Sequence, residues 1–244
     1  MKRLVLLMLL LVCNSGSAIA ETAEQIMKMV EANVYYGEAY MESDMTIRSG
    51  RREMTKTMSI WVQGQNALAE FTNPADRGTK YLKLEDEMWI FFPDAEDLVL
   101  ISGHMLRQGF MGSDMSYEDM MTTEKLSELY DLELESQEDL NGRPTWVIGA
   151  TAKEGVDVSY AIRKMWIDQE YHISVREELY AVSGRLLKVS RVEEIDQIAG
   201  RNYPVTVVTE DVLRRDSSTT LRILHIDFDI DVADGLFSLE SLQR

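Results

Sequence analysis

Very little of this chain is equipped for covalent or metal chemistry. It has one cysteine, Cys13, and three histidines, His104, His172 and His225. Those histidines stand far apart, with no HExxH, no cysteine pair and no histidine pair one helical turn apart, so a zinc site has little support. A phosphate loop and a dinucleotide fingerprint are also missing. Ser113 follows Gly112, but the second glycine of a nucleophile elbow is absent, and a hydrolase needs nucleophile, base and orienting group together. Asp227, Asp229 and Asp231 alternate like the start of a calcium loop. Val232 stands where that loop needs glycine, however, and Ser238 stands where it needs its closing glutamate. A solvated strand face is the simpler reading of the three aspartates. The expectation is a protein with no cofactor, no metal and no enzymatic activity.

Positive charge is scarce as well. Lysine and arginine number 25 against 42 aspartates and glutamates, a formal net charge of −17. Such a surface repels nucleic acid and anionic head groups, which argues against a DNA-binding or polybasic membrane site. Arg48, Arg51 and Arg52 do cluster, but at an exposed turn, a common place for arginine.

Long apolar runs are lacking too. The longest opens the chain, where Lys2 and Arg3 precede an apolar stretch over residues 4–12 and Ala18-Ile19-Ala20 offers a small-x-small cleavage pattern. That run is too short to span a bilayer, and it reads as an export signal cleaved after Ala20. Cys13 follows Leu11 and Val12 rather than a small residue, which disfavours lipidation there. Cleavage would remove two positive charges, no acids and the single cysteine. An exported chain of this kind relies on its core instead of disulfides, and residues 21–244 are long enough to build one as a single domain. The expected compartment is the periplasm.

What is present is mostly strand. A helix is expected over residues 22–35, with Thr22 and Gln25 spaced as a capping box and Ile26, Met29, Val30 and Val34 at helical intervals. Strands then follow at 39–48, 53–63, 66–71, 79–84, 88–92 and 98–101. Further strands fall at 129–137 and 144–151 around an Asn141-Gly142 turn, then at 158–167, 173–182, 185–192, 204–213 and 219–229. Regular spacing with short turns predicts a large antiparallel meander.

Two features stand out in that meander. Apolar residues occupy both parities of 79–92, 205–208 and 221–228, so parts of the sheet are covered on both faces or line a dry cavity. Which of Leu82, Leu84, Trp89 and Phe91 share a face depends on whether the turn at 85–87 holds two residues or three. The second feature is the segment 102–121. There Met105, Leu106, Phe110, Met111, Met115, Met120 and Met121 are set among glycines, serines and acids. Irregular chain prefers water, so this apolar content must be hidden, either over the protein's own core or against a variable guest to which methionine adapts well. Ser116 and Asp119 have capping-box spacing, predicting a short helix at 117–121. Asp76-Arg77, before Gly78, reads as a local ion pair locking a turn.

At Pro74-Ala75-Asp76-Arg77-Gly78-Thr79, Met88-Trp89-Ile90-Phe91-Phe92-Pro93, Phe110-Met111-Gly112-Ser113-Asp114 and Tyr117-Glu118-Asp119, the chain resembles the outer-membrane lipoprotein-sorting proteins of the LolA-like superfamily. Met115 departs from the aromatic usual after Gly-Ser-Asp, and 96–100 lacks the basic residues common there. The resemblance implies an α+β, mostly β fold: a strongly curved antiparallel sheet, an unclosed half-barrel, with helices covering its concave face. It implies a cavity that accepts the acyl chain of a lipid or lipoprotein. Leu82, Leu84, Trp89 and Phe91 would form the wall, and Met105, Phe110, Met111 and Met115 the cover, with Gly103, Gly109 and Gly112 as hinges. Its partners would be an inner-membrane transporter and an outer-membrane acceptor. The alternative is a non-enzymatic periplasmic module of a membrane export assembly, its interior filled by its own side chains.

Overall fold

The computed structural model describes residues 21–35, 37–121, 124–228 and 230–243. The proposed export signal and Asp229 lie outside them. Among the described residues, no helix is long and apolar enough to cross a membrane.

Helix α1 (Ala23–Val34) begins as the sequence predicts. Thr22 Oγ1 accepts the Gln25 amide while Gln25 Oε1 accepts the Thr22 amide, a reciprocal capping box. Its buried residues Ala23, Ile26, Met27 and Val30 follow i, i+3, i+4, i+7, one stripe of a helix.

Thirteen strands then form one antiparallel sheet: β1 (Glu38–Ser49), β2 (Arg52–Gln63), β3 (Asn66–Phe71), β4 (Lys80–Leu84), β5 (Glu87–Phe92), β6 (Asp97–Ile101), β7 (Tyr130–Leu140), β8 (Arg143–Ala152), β9 (Ile162–Asp168), β10 (Ser174–Tyr180), β11 (Leu186–Ile198), β12 (Arg201–Asp211) and β13 (Ser217–Phe228). The order across the sheet is β6-β5-β4-β3-β2-β1-β13-β12-β11-β10-β9-β8-β7. Only the β1–β13 pairing joins neighbours distant in sequence, and β6 and β7 are left as free edges. Between β6 and β7 the chain forms two 3₁₀ turns (Gly103–Arg107 and Phe110–Gly112) and two short helices, α2 (Tyr117–Met121) and α3 (Leu126–Leu129). A last turn, α4 (Leu239–Leu242), closes the described chain.

The sheet is curved and does not close into a barrel. Strands lie about 4.8 Å apart, so Met88 on β5 and Tyr203 on β12, six positions apart in the sheet, would be separated by about 29 Å on a flat surface. Both line one cavity. Curvature is helped by bulges at Glu42–Ser43 in β1 and at Val192–Ile195 in β11, where the register shifts.

Parity then decides which residues face inward. The turn between β4 and β5 holds two residues, Glu85 and Asp86, pairing Tyr81 with Ile90, Leu82 with Trp89 and Lys83 with Met88. Tyr81, Lys83, Met88 and Ile90 therefore share the concave face. It carries two separate covers. At one end α1 packs on Tyr130, Trp146, Ile148, Met165 and Ile167. At the other the methionine-rich segment packs on Met45, Met58, Phe71, Tyr81 and Ile90.

Candidate functional site

The segment between β6 and β7 buries its apolar side chains inward and fastens itself with polar ones. Phe110 is 1% exposed, edge-on to Tyr81 at 4.8 Å and to Tyr117 at 5.6 Å between ring centroids. Met105, Leu106, Met111 and Met120 pack against the same cluster, and the Tyr81 hydroxyl donates to Met111 Sδ at 2.7 Å. Residues 109–116 close on themselves: the Phe110 amide donates to the Met115 carbonyl at 2.7 Å and the Tyr117 amide to the Gln108 carbonyl at 3.2 Å. Gly109 is required there, since a Cβ on it would lie 2.5 Å from the Ser113 carbonyl oxygen. Gly112 sits at φ +81°, a conformation that favours glycine.

Two carboxylates anchor this cover to distant strands. The side chain of Asp114 is fully buried and accepts from Ser217 Oγ at 2.7 Å and Thr219 Oγ1 at 2.9 Å on β13. Arg214 adds an ion pair to Asp114 at 3.4 Å and donates to the Ser113 and Gly112 carbonyls. Farther along, the expected capping box forms: the Ser116 amide donates to Asp119 Oδ2 and the Asp119 amide to Ser116 Oγ. Asp119 also takes Lys188 Nζ from β11 at 2.6 Å and the Tyr160 hydroxyl at 2.7 Å. Burial pushes the Asp119 carboxyl up, but the Lys188 ammonium and the hydrogen bonds outweigh it and hold that carboxyl below its usual range. Burial and the neighbouring Asp119 charge push the Tyr160 phenol well above its usual value.

Beside the cover lies a cavity of about 360 Å³, within the range of small-molecule sites. Val34 and Tyr35 at the end of α1 bound one side, and Phe110 and Met120 of the cover another. The sheet supplies Met41, Ile60, Val62, Ala69, Tyr81 and Met88 from β1 to β5, with Tyr203, Leu221 and Ile223 from β12 and β13. Among the described residues that line it, Lys83 is the one that carries a charge. A second, more polar hollow of about 240 Å³ lies next to it, with Met115 facing Asp119, Arg163, Glu177 and Lys188. Arg163 there is stacked between Tyr130 and Tyr160 and paired with Glu177 at 2.9 Å, and it stays charged.

Of the eight residues expected to meet a guest, the structure brings the four cover residues together on the concave face. Phe110 lines the cavity, Met105 and Met111 pack behind it, and Met115 lines the adjoining hollow. The other four lie elsewhere. Leu82, Leu84, Trp89 and Phe91 belong to the opposite face of the same hairpin, packed under Leu236, Phe237, Leu239 and Leu242 of the C-terminal segment. The two-residue turn puts them there, and it presents Tyr81, Lys83 and Met88 to the cavity instead. Their apolar alternation on both parities was the signal of a doubly covered hairpin.

The remaining candidates settle simply. Ser113 is fully buried and its hydroxyl donates to the Met115 carbonyl, a structural use. Asp76 pairs with Lys56 Nζ of β2 at 2.6 Å and accepts from Asn73 at 2.7 Å, so its partner comes from across the sheet and not from Arg77. Asp227 pairs with His225, and no group of three or more metal-ligating side chains is found among the described residues.

The curved, unclosed sheet has counterparts among known proteins. A family model described as an uncharacterized protein matches residues 63–244, and the chain belongs to that family. No curated protein matches it. Among solved structures, a DUF1329 family protein from Desulfovibrio piger superposes with a TM-score of 0.82 at 23% identity, covering 90% of this chain and 98% of the other. A putative outer membrane lipoprotein-sorting protein domain from Vibrio parahaemolyticus gives 0.77 at 22% identity, with 91% and 100% covered. A LolA superfamily protein from Nitrosomonas europaea gives 0.76 at 22% identity, with 91% and 100% covered. The resemblance to the lipoprotein-sorting branch of that superfamily thus holds at the level of the fold.

Proposed function

We propose that this protein is a periplasmic carrier that holds the acyl chain of a lipid or lipoprotein and passes it towards the outer membrane. The observation that carries this reading is the cavity between the sheet and its methionine-rich cover. Its lining is mostly aliphatic, aromatic and thioether groups, and its cover is packed on the sheet through Phe110 and several methionines and held by a few polar contacts. Burial of acyl methylenes is worth about 0.8 kcal/mol each, enough for a useful yet reversible complex with a modest length of chain. No covalent step is involved. Binding and release reduce to opening and closing the segment 103–121, with docking to a transporter and an acceptor setting direction. The shared fold with a putative outer membrane lipoprotein-sorting protein domain supports the cargo class.

Native mass spectrometry of the gently purified protein, followed by extraction, tests this directly. A stoichiometric lipid or acylated peptide is the expected result. Ala67 lines the cavity, so Ala67→Trp should fill it and abolish uptake while circular dichroism stays unchanged. An empty protein that takes up no added lipid, in company with a stable protein partner, would instead identify an interaction module with a self-filled interior.

A further inference from the structure

Charge is spread unevenly over this fold. Strands β10 to β13, β1 and β2 lie side by side in the sheet, so their hairpin turns, residues 181–185, 212–216 and 50–51, emerge at one end of it. Backbone bonds join them there: the Gly50 amide donates to the Asp216 carbonyl at 2.8 Å and the Val212 amide to the Leu187 carbonyl at 2.9 Å. Residues 48–54, 181–187 and 211–217 hold six of the chain's 25 basic residues, all arginine. They hold only three of its 42 acids, Glu53, Asp211 and Asp216. Arg48 is paired with Glu53, and Arg214 is committed to Asp114 and the cover. Arg51, Arg52, Arg185 and Arg215 are exposed and make no hydrogen bond or ion pair among the described residues. The same end carries exposed apolar groups. Of the seven large apolar side chains exposed among the described residues, Met54, Val182, Val212 and Leu213 stand on or beside these turns, Val182 at 87%. Scattered exposed apolar residues are ordinary, but four gathered among unpaired arginines make one surface that is both cationic and apolar.

We propose that this end of the sheet docks on a bilayer surface rich in anionic phospholipid. Guanidinium groups meet phosphate with paired hydrogen bonds, and aliphatic side chains beside them enter the boundary between head groups and acyl chains. The apolar residues stand on separate turn tips, where each can enter a fluid surface independently; a protein partner would need a matched pocket for each. The net charge of −17 weighs against a membrane site only as an average. Strands β1, β2 and β13 are each 12 residues long. The far end of the sheet is therefore about 40 Å away, several screening lengths at about 0.1 M salt. The acidic remainder instead disfavours every other orientation against an anionic bilayer. Next to the patch, the turn at 93–96 carries Asp94 and Glu96, which confines the cationic surface to the three hairpins. This surface is independent of what the cavity holds.

The test is flotation of the purified protein with vesicles of phosphatidylcholine alone or with about three-tenths phosphatidylglycerol, at about 0.1 M salt. Partition onto the anionic vesicles is expected to be at least about tenfold the stronger, and to fall as salt is raised. Replacing Arg51→Gln, Arg52→Gln and Arg215→Gln together should cost about fivefold per arginine, about a hundredfold in all. Those side chains bond to nothing in the fold, so the circular dichroism spectrum should not change. Leu213→Ser should weaken the same partition about tenfold by removing one inserted side chain. Equal partition onto both vesicles, or unchanged binding in either variant, overturns the inference. So does an absence of vesicle binding together with arginine-dependent retention on immobilised polyglutamate, which would make the partner an acidic protein. Should a variant not fold, the wild-type ratio between the two vesicles and its salt dependence still decide.

Discussion

The concave face of this sheet is covered twice, by two different kinds of structure. Over β7 to β9 the cover is α1, a regular capped helix whose apolar stripe meets Trp146, Ile148, Met165 and Ile167. Over β1 to β5 it is a run of turns and one short helix that reaches the sheet through Phe110 and several methionines, anchored by Asp114 and Asp119. Both covers bury side chains fully, Ile26 and Ile148 at 0% exposed under α1 and Phe71 at 0% under the second cover. The second cover leaves a cavity beside it. A helix satisfies its own backbone and can spend its whole inner face on packing. Irregular chain must find external partners for its polar groups, so it is attached at points, and space remains between them. Under the proposed carrier reading, permanence would belong to the first end and exchange to the second.

The sharpest way to break that contrast is Phe110→Ala. Truncating a buried phenylalanine costs about 3–5 kcal/mol, and urea unfolding measures it. If the cover is a separately opening unit, hydrogen exchange in 103–121 should rise far more than in α1. Uniform acceleration across both ends would merge the two covers into one. Next comes Asp119→Asn, which weakens the latch to Lys188 and Tyr160 and is expected to cost about 2 kcal/mol. Because the folded carboxyl titrates below its unfolded value near 3.9, the wild-type contribution is fully present above that value and is lost as pH falls through the folded one. The variant's deficit should therefore shrink on acidification below about pH 4, and a deficit independent of pH would remove the latch from the account. The smallest effect belongs to the regular end. Thr22→Ala removes a cap worth about 1 kcal/mol and should leave uptake of an apolar probe unchanged. A change in uptake would show that α1 takes part in opening.

Much of this arrangement was readable from residue order. The capping box at Thr22 and Gln25, the Asn141-Gly142 hairpin and the strand spacing are local signals, and most elements formed within a few residues of their expected places, although the strand expected at 185–192 runs on to Ile198. The methionine segment announced itself by carrying apolar side chains where chain should be wet. What stayed hidden was parity. Glu85, at φ 52°, occupies a left-handed turn position usually given to glycine or asparagine, so nothing local set the turn at two residues. That choice put Leu82, Leu84, Trp89 and Phe91 on the outer face and Lys83 on the inner one. The partner of the outer face was equally hidden. Leu236, Phe237, Leu239 and Leu242 reach β3 to β5 from the far end of the chain, and a contact of that sequence separation leaves no periodic trace.

A sheet that never closes must still answer for its two borders. β7 is a long border strand, and it carries Asp131, Glu133, Glu135, Glu138 and Asp139 along eleven residues. Another strand approaching it would meet a row of like charges, which suppresses runaway pairing between molecules. β6 is apolar, with Leu100 38% exposed, but it is only five residues long. One border is guarded by repulsion and the other by brevity, so β6 is where added length or a lost Asp97 would invite polymerisation.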